Sequence, residues 1–234
     1  IIATGGFGAN LSMVAEYRPE LKDFNTSNHS GATGDAFEWV KSFDVPLVHM
    51  DQIQTHQTGE VGSHLLITEA VRGNGAILVN HEGVRFANEM LTRDKLSEAI
   101  LAQTGKTAFL VFDQSVRESL AAIENYAQQG LLTTAGSVTE LAQALKIPVT
   151  SFEETMNKYE VFQTTGEDLE FGRDAKEMLQ PLNQAPYYAI EVEPVLHHTM
   201  GGVKINTKAE VVNTTNTPAN LCSLYCMDMS GAQR

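Results

Sequence analysis

The stretch Ala76-Ile77-Leu78-Val79-Asn80-His81-Glu82-Gly83-Val84-Arg85-Phe86-Ala87-Asn88 stands near the middle of the sequence and decides its fold class. Two apolar arms around a Gly-containing turn predict a β-hairpin. Further strand patterns occur at 107–112 and 187–192, and helical patterns occur at 94–103, 114–129, 138–145 and 151–164. This order of elements predicts mixed α and β structure, with an α+β insertion between two parts of another domain.

The two flanking parts carry glycine-rich loops. Gly5-Gly6-Phe7-Gly8 follows a short strand pattern, and a second loop spans residues 31–35. The spacing Gly6-x-Gly8-x-x-Leu11 lacks the third glycine of the dinucleotide fingerprint, so a turn is favoured over a phosphate cradle. The chain begins without Met, in what resembles the middle of a strand, and we expect a fragment or a processed chain.

Composition restricts the classes of function. The 234 residues are 42% hydrophobic and 19% charged, which is typical of a soluble globular protein. The net charge of -13 argues against nucleic acid as a partner, and no apolar run reaches the ~20 residues of a membrane span. Cys222 and Cys226 fit neither a disulfide framework nor a haem attachment motif. No His, Cys or carboxylate group has zinc-like spacing, so we predict no metal site.

One block of about forty residues combines polar side chains suited to acid–base chemistry. It contains His56, Glu69, Arg72 and Arg93, mostly in predicted loops or at the ends of elements. Glu69 and Arg72 are three residues apart, so on a helix they share a face. On composition alone, a surface ion pair and an arginine that begins a helix are the favoured interpretation. The adjacent histidines 197–198 point to opposite faces of a strand, so at most one can face a given pocket.

The order of the motifs is more specific than any one of them. The motifs are Gly5-Gly6-Phe7, Asn28-His29, Gly31 to Asp35, Ile53 to Thr58, Thr68 to Asn80, Arg85-Phe86, Thr92-Arg93-Asp94, Ile100 to Lys106, Tyr187 to Glu191 and His197 to Gly202. Together they resemble the flavoprotein of soluble fumarate reductases of the flavocytochrome c type, which is related to the succinate dehydrogenase and fumarate reductase flavoproteins. The resemblance implies a capping (clamp) domain at 54–194, flanked by partial FAD-binding domains at 1–53 and 195–234.

The resemblance also implies a reaction and roles for single residues. A flavin would deliver hydride to one alkene carbon of fumarate, and Arg93 would deliver a proton to the other, giving succinate. Glu69 and Arg72 would reload Arg93 from solvent. The residues implied to bind the substrate carboxylates are His56, Thr68, His197 and Arg234. The residues implied to lie against the flavin nucleotide are Thr4, Gly5, Gly6 and Asp35.

The sequence departs from this family at two places. The usual H-P-T is His56-Gln57-Thr58 here, which removes a rigid residue and is expected to loosen the loop around His56. The end of the chain, 224–234, lacks the Gly-Glu pair that would touch the flavin. We therefore expect FAD in the full-length enzyme and weak or absent FAD binding by this chain alone.

Two alternatives stay open at this point. The substrate could be another unsaturated acid, such as urocanate or acrylate, although the presence of His56, Thr68 and His197 together favours a dicarboxylate. The chain could also be a truncated, non-catalytic protein without flavin. The resemblance implies an electron donor outside the chain, either a haem domain or a reductase partner, and a role in anaerobic respiration in the periplasm.

Overall fold

The computed structural model describes residues 2–178 and 181–219, and the chain forms two compact units. We call Ile1–Thr55 with Val195–Arg234 the flank unit, and His56–Pro194 the central unit. Both helices and strands occur, which confirms the prediction of mixed α and β structure. The assignment of the units to a partial FAD-binding domain and a capping domain stays a prediction.

Helices and strands are interspersed along the described chain, and most of them are short. The helices are α1 (Leu11–Tyr17), α2 (Asp35–Val40), α3 (Ala70–Gly73), α4 (Arg93–Leu101), α5 (Gln114–Ser119), α6 (Ala122–Gln128), α7 (Val138–Leu145) and α8 (Val149–Thr165). The strands are β1 (Leu47–Val48), β2 (Ile53–Glu60), β3 (Ile77–Val79), β4 (Ala108–Asp113), β5 (Thr133–Ala135), β6 (Tyr187–Thr199) and β7 (Gly202–Val203). Within the described ranges, none of the helices has the length and apolar character needed to cross a membrane.

The flank unit is built around a small apolar core. Phe7 is fully buried and its ring contacts those of Tyr17 and Phe37, with centroids 6.0 and 5.7 Å apart. Helix α1 begins where the Asn10 side chain accepts a hydrogen bond from the Met13 N–H at 3.0 Å, a normal N-cap. Strands β1 and β7 pair antiparallel beside this core.

The central unit is organised by β4, whose six residues are all buried. In the described part of the chain, β4 lies between β3 and β6 with antiparallel pairing on both sides. Strand β6 also pairs with β5, and β2 extends the sheet order to β2-β6-β4-β3. Fully buried residues of α4, α6, α7 and α8 join the same apolar cluster as the sheet, so one core supports the whole unit.

The predicted hairpin is wrong in its second arm. Strand β3 pairs with β4, and in the described part of the chain segment 84–88 makes a single isolated bridge, from Arg85 to Val79. The turn itself is present, since the Asn80 N–H donates to the Val84 carbonyl at 3.0 Å. The arm does not extend because the Arg85 side chain turns inward and binds Glu89, four residues further on.

Three other predicted boundaries are also corrected. The single helix predicted at 114–129 is two helices, because the backbone is extended at Leu120 and the Ser119 hydroxyl donates to the Val116 carbonyl. Helix α8 begins directly after Pro148 rather than at 151, since proline is suited to the first positions of a helix. Strand β6 continues seven residues beyond the predicted end at 192.

Candidate functional site

Four polar side chains of the central unit converge on one carboxylate oxygen, Oε1 of Glu69. The Arg93 Nε donates to it at 2.8 Å. The His56 Nε2 lies 3.7 Å away, the Arg72 Nη2 3.8 Å away, and the Gln57 Nε2 3.5 Å away. The structure therefore brings together His56, Glu69, Arg72 and Arg93 from three separate segments of the sequence.

Short elements hold this cluster in place. Glu69 occupies the position before α3, and Arg72 lies within that helix, so the three-residue spacing places both on one side as predicted. Arg93 is the first residue of α4, and His56 lies on β2. The interpretation of Glu69 and Arg72 as a surface ion pair is wrong for Arg72, which is only 2% exposed.

The surroundings shift the pKa values of two members. The hydrogen bond from Arg93 lowers the pKa of Glu69, although partial burial opposes the shift. Burial lowers the pKa of Arg72 to about 10, although the charges of Glu69 and Glu89 oppose the change. Glu69 is therefore ionised at neutral pH, and Arg72 releases a proton more readily than an arginine in water does.

The segment around His56 is ordered and buried. His56, Gln57 and Thr58 are each at most 1% exposed, within strand β2. The Thr58 N–H donates to the His56 Nδ1 at 3.3 Å, so the neutral imidazole carries its hydrogen on Nε2. The Thr58 hydroxyl donates to the Ile67 carbonyl at 2.8 Å. The expected loosening of this loop is wrong, because a buried strand holds His56 without a proline.

Thr68 is fixed through its main chain. Its N–H donates to the Tyr126 hydroxyl oxygen at 3.0 Å, and its own hydroxyl accepts from the Ala70 N–H at 3.5 Å. The side chain is half-buried, next to Glu69 in sequence. Thr68 thus presents a hydroxyl at the start of α3, beside the converging charges.

A buried ion network below the cluster was not found from the sequence. Glu89 is fully buried and accepts from Arg85 Nε at 2.9 Å and from Arg173 Nη1 at 3.2 Å. Arg85 also donates to Asp168 at 3.0 Å, and Arg72 donates to the Glu89 carbonyl oxygen. Only the Arg85–Glu89 spacing of four residues could have suggested a pair, because Asp168 and Arg173 are about eighty residues away in sequence.

The flank unit contains a cavity of about 420 Å³, lined by Thr4, Gly5 and Gly6 on one side. The Thr4 Oγ1 is buried and has no hydrogen-bond partner among the described residues. A Cβ atom at Gly6 would lie 2.1 Å from the Thr199 Oγ1, and one at Gly201 would lie 2.5 Å from the His49 carbonyl. Glycines at these positions keep the cavity wall close-packed, and Thr4 offers it an unsatisfied hydroxyl.

The remaining predicted site residues have simple surroundings. Asp35 begins α2 next to the lining residues Ala36 and Phe37, and its carboxylate accepts from the Thr33 hydroxyl at 2.6 Å. His197 belongs to the flank unit, where its Nδ1 lies 3.5 Å from the Ser27 Oγ. Arg234 lies outside the described residues.

Comparison with known proteins identifies the family. The family model described as FAD binding domain matches residues 1–227, and the chain belongs to this family. Fumarate reductase (cytochrome) from Shewanella frigidimarina is 49% identical over 213 residues, which cover 91% of this chain and 37% of that protein. The open conformation of a flavocytochrome c3 fumarate reductase superposes with a TM-score of 0.81 at 39% identity, covering 94% of this chain and 38% of the other.

More distant relatives carry other names. NADH:acrylate oxidoreductase from Vibrio harveyi is 33% identical, covering 91% of this chain and 22% of that protein. Urocanate reductase from Eggerthella lenta is 32% identical, covering 93% of this chain and 37% of that protein. The chain thus spans little more than a third of the length of the fumarate reductase it matches.

FAD is the cofactor of the family, and the flank-unit cavity fits part of it. The unpartnered Thr4 hydroxyl and the bare backbone at Gly5 and Gly6 are suited to a polar ligand that approaches the main chain closely. These three residues would hold the cofactor from one side, as the resemblance implies. When bound, the flavin would supply redox chemistry that no side chain of the cluster can perform.

We expect this 234-residue chain to bind FAD only weakly on its own. A dinucleotide pyrophosphate needs a glycine-rich turn at a helix N-terminus, and the loop at 5–8 lacks the third glycine of that motif. Equilibrium dialysis should give a dissociation constant above about 10 μM. Saturable binding well below about 1 μM that is lost in Gly6→Val would contradict this, and would show that the cavity is sufficient for the cofactor.

Proposed function

We propose that this chain forms the substrate-capping part, and a portion of the FAD site, of an enzyme that reduces fumarate to succinate. The observation that carries the proposal is the contact of Arg93 with Glu69 at 2.8 Å, with Arg72 and His56 within 3.8 Å of the same oxygen. A positioned acid, a carboxylate bound to it and a buried arginine beside that carboxylate are suited to repeated proton delivery to a carbon atom.

Arg93 acts as the proton donor in this proposal. When bound and reduced by the electron donor, the flavin would supply hydride to one alkene carbon of the substrate. Arg93 gives a proton to the other carbon, so the C=C bond becomes C–C with two new C–H bonds. The guanidinium is a weak acid in water, and proton loss from it requires that the transfer accompany hydride arrival in a shielded site.

Glu69 and Arg72 return the proton to Arg93 after each turnover. Neutral Arg93 is a strong base, and Glu69 is its hydrogen-bonded neighbour. One proton per turnover passes from solvent through Glu69 and Arg72, which leaves both residues unchanged. Burial supports a relay role for Arg72, because it lowers the pKa to about 10.

Substrate binding is assigned to His56, Thr68, His197 and Arg234. Fumarate is a dianion, and imidazole, hydroxyl and guanidinium groups provide charge-assisted hydrogen bonds to carboxylates. Local cations are needed because the chain as a whole carries a net charge of -13. Donors placed where charge develops also stabilise the transition state.

The partners of the enzyme follow from the same proposal. Reduction needs an electron donor, and we assign it to a haem domain or a reductase partner outside this chain. Relatives whose names include cytochrome and NADH support either kind of donor. We place the enzyme in anaerobic respiration in the periplasm, as the resemblance implies.

A reductase of another unsaturated acid is the second candidate, supported by the relatives named for acrylate and urocanate. The test is kcat/KM of the full-length protein on fumarate, acrylate and urocanate. A site built to bind two carboxylates rejects acrylate, which has one, by about 10⁴-fold. An equal or higher kcat/KM for acrylate or urocanate would show that this acid, rather than fumarate, is the preferred substrate. A colourless protein without flavin absorbance, inactive on all three acids, would indicate a non-catalytic chain.

A further inference from the structure

Arg72, Glu89 and Arg173 form a closed ring of hydrogen bonds inside the central unit. The Arg72 Nη1 donates to the Glu89 carbonyl oxygen. The Glu89 Oε2 accepts from Arg173 Nη1 at 3.2 Å, and the Arg173 Nη2 donates to the Arg72 carbonyl oxygen. Arg72 is therefore held at both ends, its guanidinium by Glu89 and its main chain by Arg173.

Arg173 also fixes the chain on the far side of Arg72. Its Nη1 donates to the Ala76 carbonyl at 2.9 Å, and its Nη2 donates to the Glu177 carbonyl at 2.7 Å. Its side chain is fully buried. The two ends of segment 72–76 are thus bound to one planar guanidinium, which a flexible ammonium with a single nitrogen does not reproduce.

The charges of the network give Arg72 a special position. Three buried arginines face two buried carboxylates, Glu89 and Asp168. Arg85 contacts both carboxylates and Arg173 contacts Glu89. Among the residues that the structure describes, the carboxylate oxygen nearest to Arg72 is that of Glu69, at 3.8 Å. The charged groups that face Arg72 are Glu69, Glu89, Arg93 and Arg173. Arg72 is therefore the arginine of the network whose charge is directed toward Glu69.

We propose that Arg173 is a positioning residue for proton reloading: it holds Arg72 where Arg72 exchanges a proton with Glu69. This inference rests on the proposed function of the Glu69 cluster. It extends that function to a residue about a hundred positions away that touches neither Glu69 nor Arg93 in the described structure. Loss of the ring would let the short helix α3 shift, and a displacement of 1 Å can cost roughly 10²-fold in rate.

The test is Arg173→Lys in the full-length flavin-loaded protein, with two rates measured. The first turnover of pre-reduced protein with fumarate uses the proton already on Arg93, so it should stay within about twofold of wild type. Steady-state turnover needs reloading and should fall by about 10-fold to 100-fold at pH 8. The loss should shrink as pH is lowered, because protons are then more abundant and reloading limits the rate less.

Arg85→Lys is the matched control. Arg85 is buried in the same network and binds Glu89 and Asp168, but none of its described contacts is to Arg72. It should lower the thermal midpoint to a similar extent and leave the ratio of the two rates unchanged. Arg173→Met is the second variant, because it leaves two buried arginines facing two carboxylates, and it should show the same loss of reloading.

The outcomes separate this inference from the proposed function. If Arg173→Lys and Arg173→Met keep the wild-type ratio of the two rates, or if neither yields flavin-loaded protein, Arg173 is a structural residue and the inference is wrong. Arg93→Lys in the same set should slow the first turnover itself. A normal first turnover in Arg93→Lys would instead reject the proposed function.

Discussion

Arg93→Lys should lower the turnover of fumarate by about 10²–10⁴-fold in the full-length protein, the range that a positioned acid contributes. An arginine offers separate nitrogens to two partners, and the Arg93 Nε is already bound to Glu69 at 2.8 Å. A lysine has one nitrogen, so it satisfies either Glu69 or the substrate carbon in the required geometry. Rapid mixing of the reduced protein with fumarate, followed by flavin absorbance, measures the loss directly.

Arg117→Lys is the control for this substitution. Arg117 is also a partly exposed arginine of the central unit, bound to Glu124 at 2.6 and 2.9 Å. It should keep normal turnover. For Arg93→Lys, flavin content should stay normal and KM should change much less than kcat, because the proton is needed in the transition state rather than for binding. Near-normal turnover in Arg93→Lys would show that Arg93 forms an ion pair with Glu69 and is not the proton donor.

The sequence predicted the site cluster better than it predicted the support beneath the cluster. The shared face of Glu69 and Arg72 follows from helix geometry, and the sequence predicts Arg93 at the start of a helix, where the structure has it. The convergence of Arg93 on Glu69 is a tertiary contact over 24 residues, and it came from the resemblance rather than from periodicity. The local sequence pattern therefore predicts which residues take part, and the family resemblance implies how they are arranged in space.

The buried network shows why the remainder was missed. Asp168 and Arg173 stand in a polar segment that has no helical or strand period, and such segments are normally solvent-exposed loops. Their burial depends on Arg85 and Glu89, more than eighty positions earlier in the chain. The same network bent segment 84–88 away from a strand, so the wrong hairpin and the missed ion pairs have one cause.

Glu69→Gln should slow steady-state turnover by about 10²-fold or more while leaving stability almost unchanged. Glutamine keeps the size and an oxygen for the Arg93 Nε, but its amide does not gain or lose a proton near neutral pH, so reloading is lost. The stability cost is small because a half-exposed ion pair contributes at most about 1 kcal/mol. Removing the Glu69 charge also removes an effect that raises the pKa of Arg72, so that pKa falls further.

Comparing the loss of turnover in Glu69→Gln with its loss of stability separates a relay role from a structural one. The folded-state pKa of Glu69 is lowered from 4.5, so its ion-pair stabilisation is present above that pH and is lost as pH falls through the lowered value. Thermal unfolding of variant and wild type should therefore nearly coincide in strong acid and differ by at most about 1 kcal/mol at pH 7. Glu124→Gln, which breaks the Arg117 pair, should give a similarly small change with normal turnover. If Glu69→Gln instead lowered turnover only in proportion to its stability, Glu69 would be a structural partner of Arg93, and the proton would have to reach Arg93 by another route.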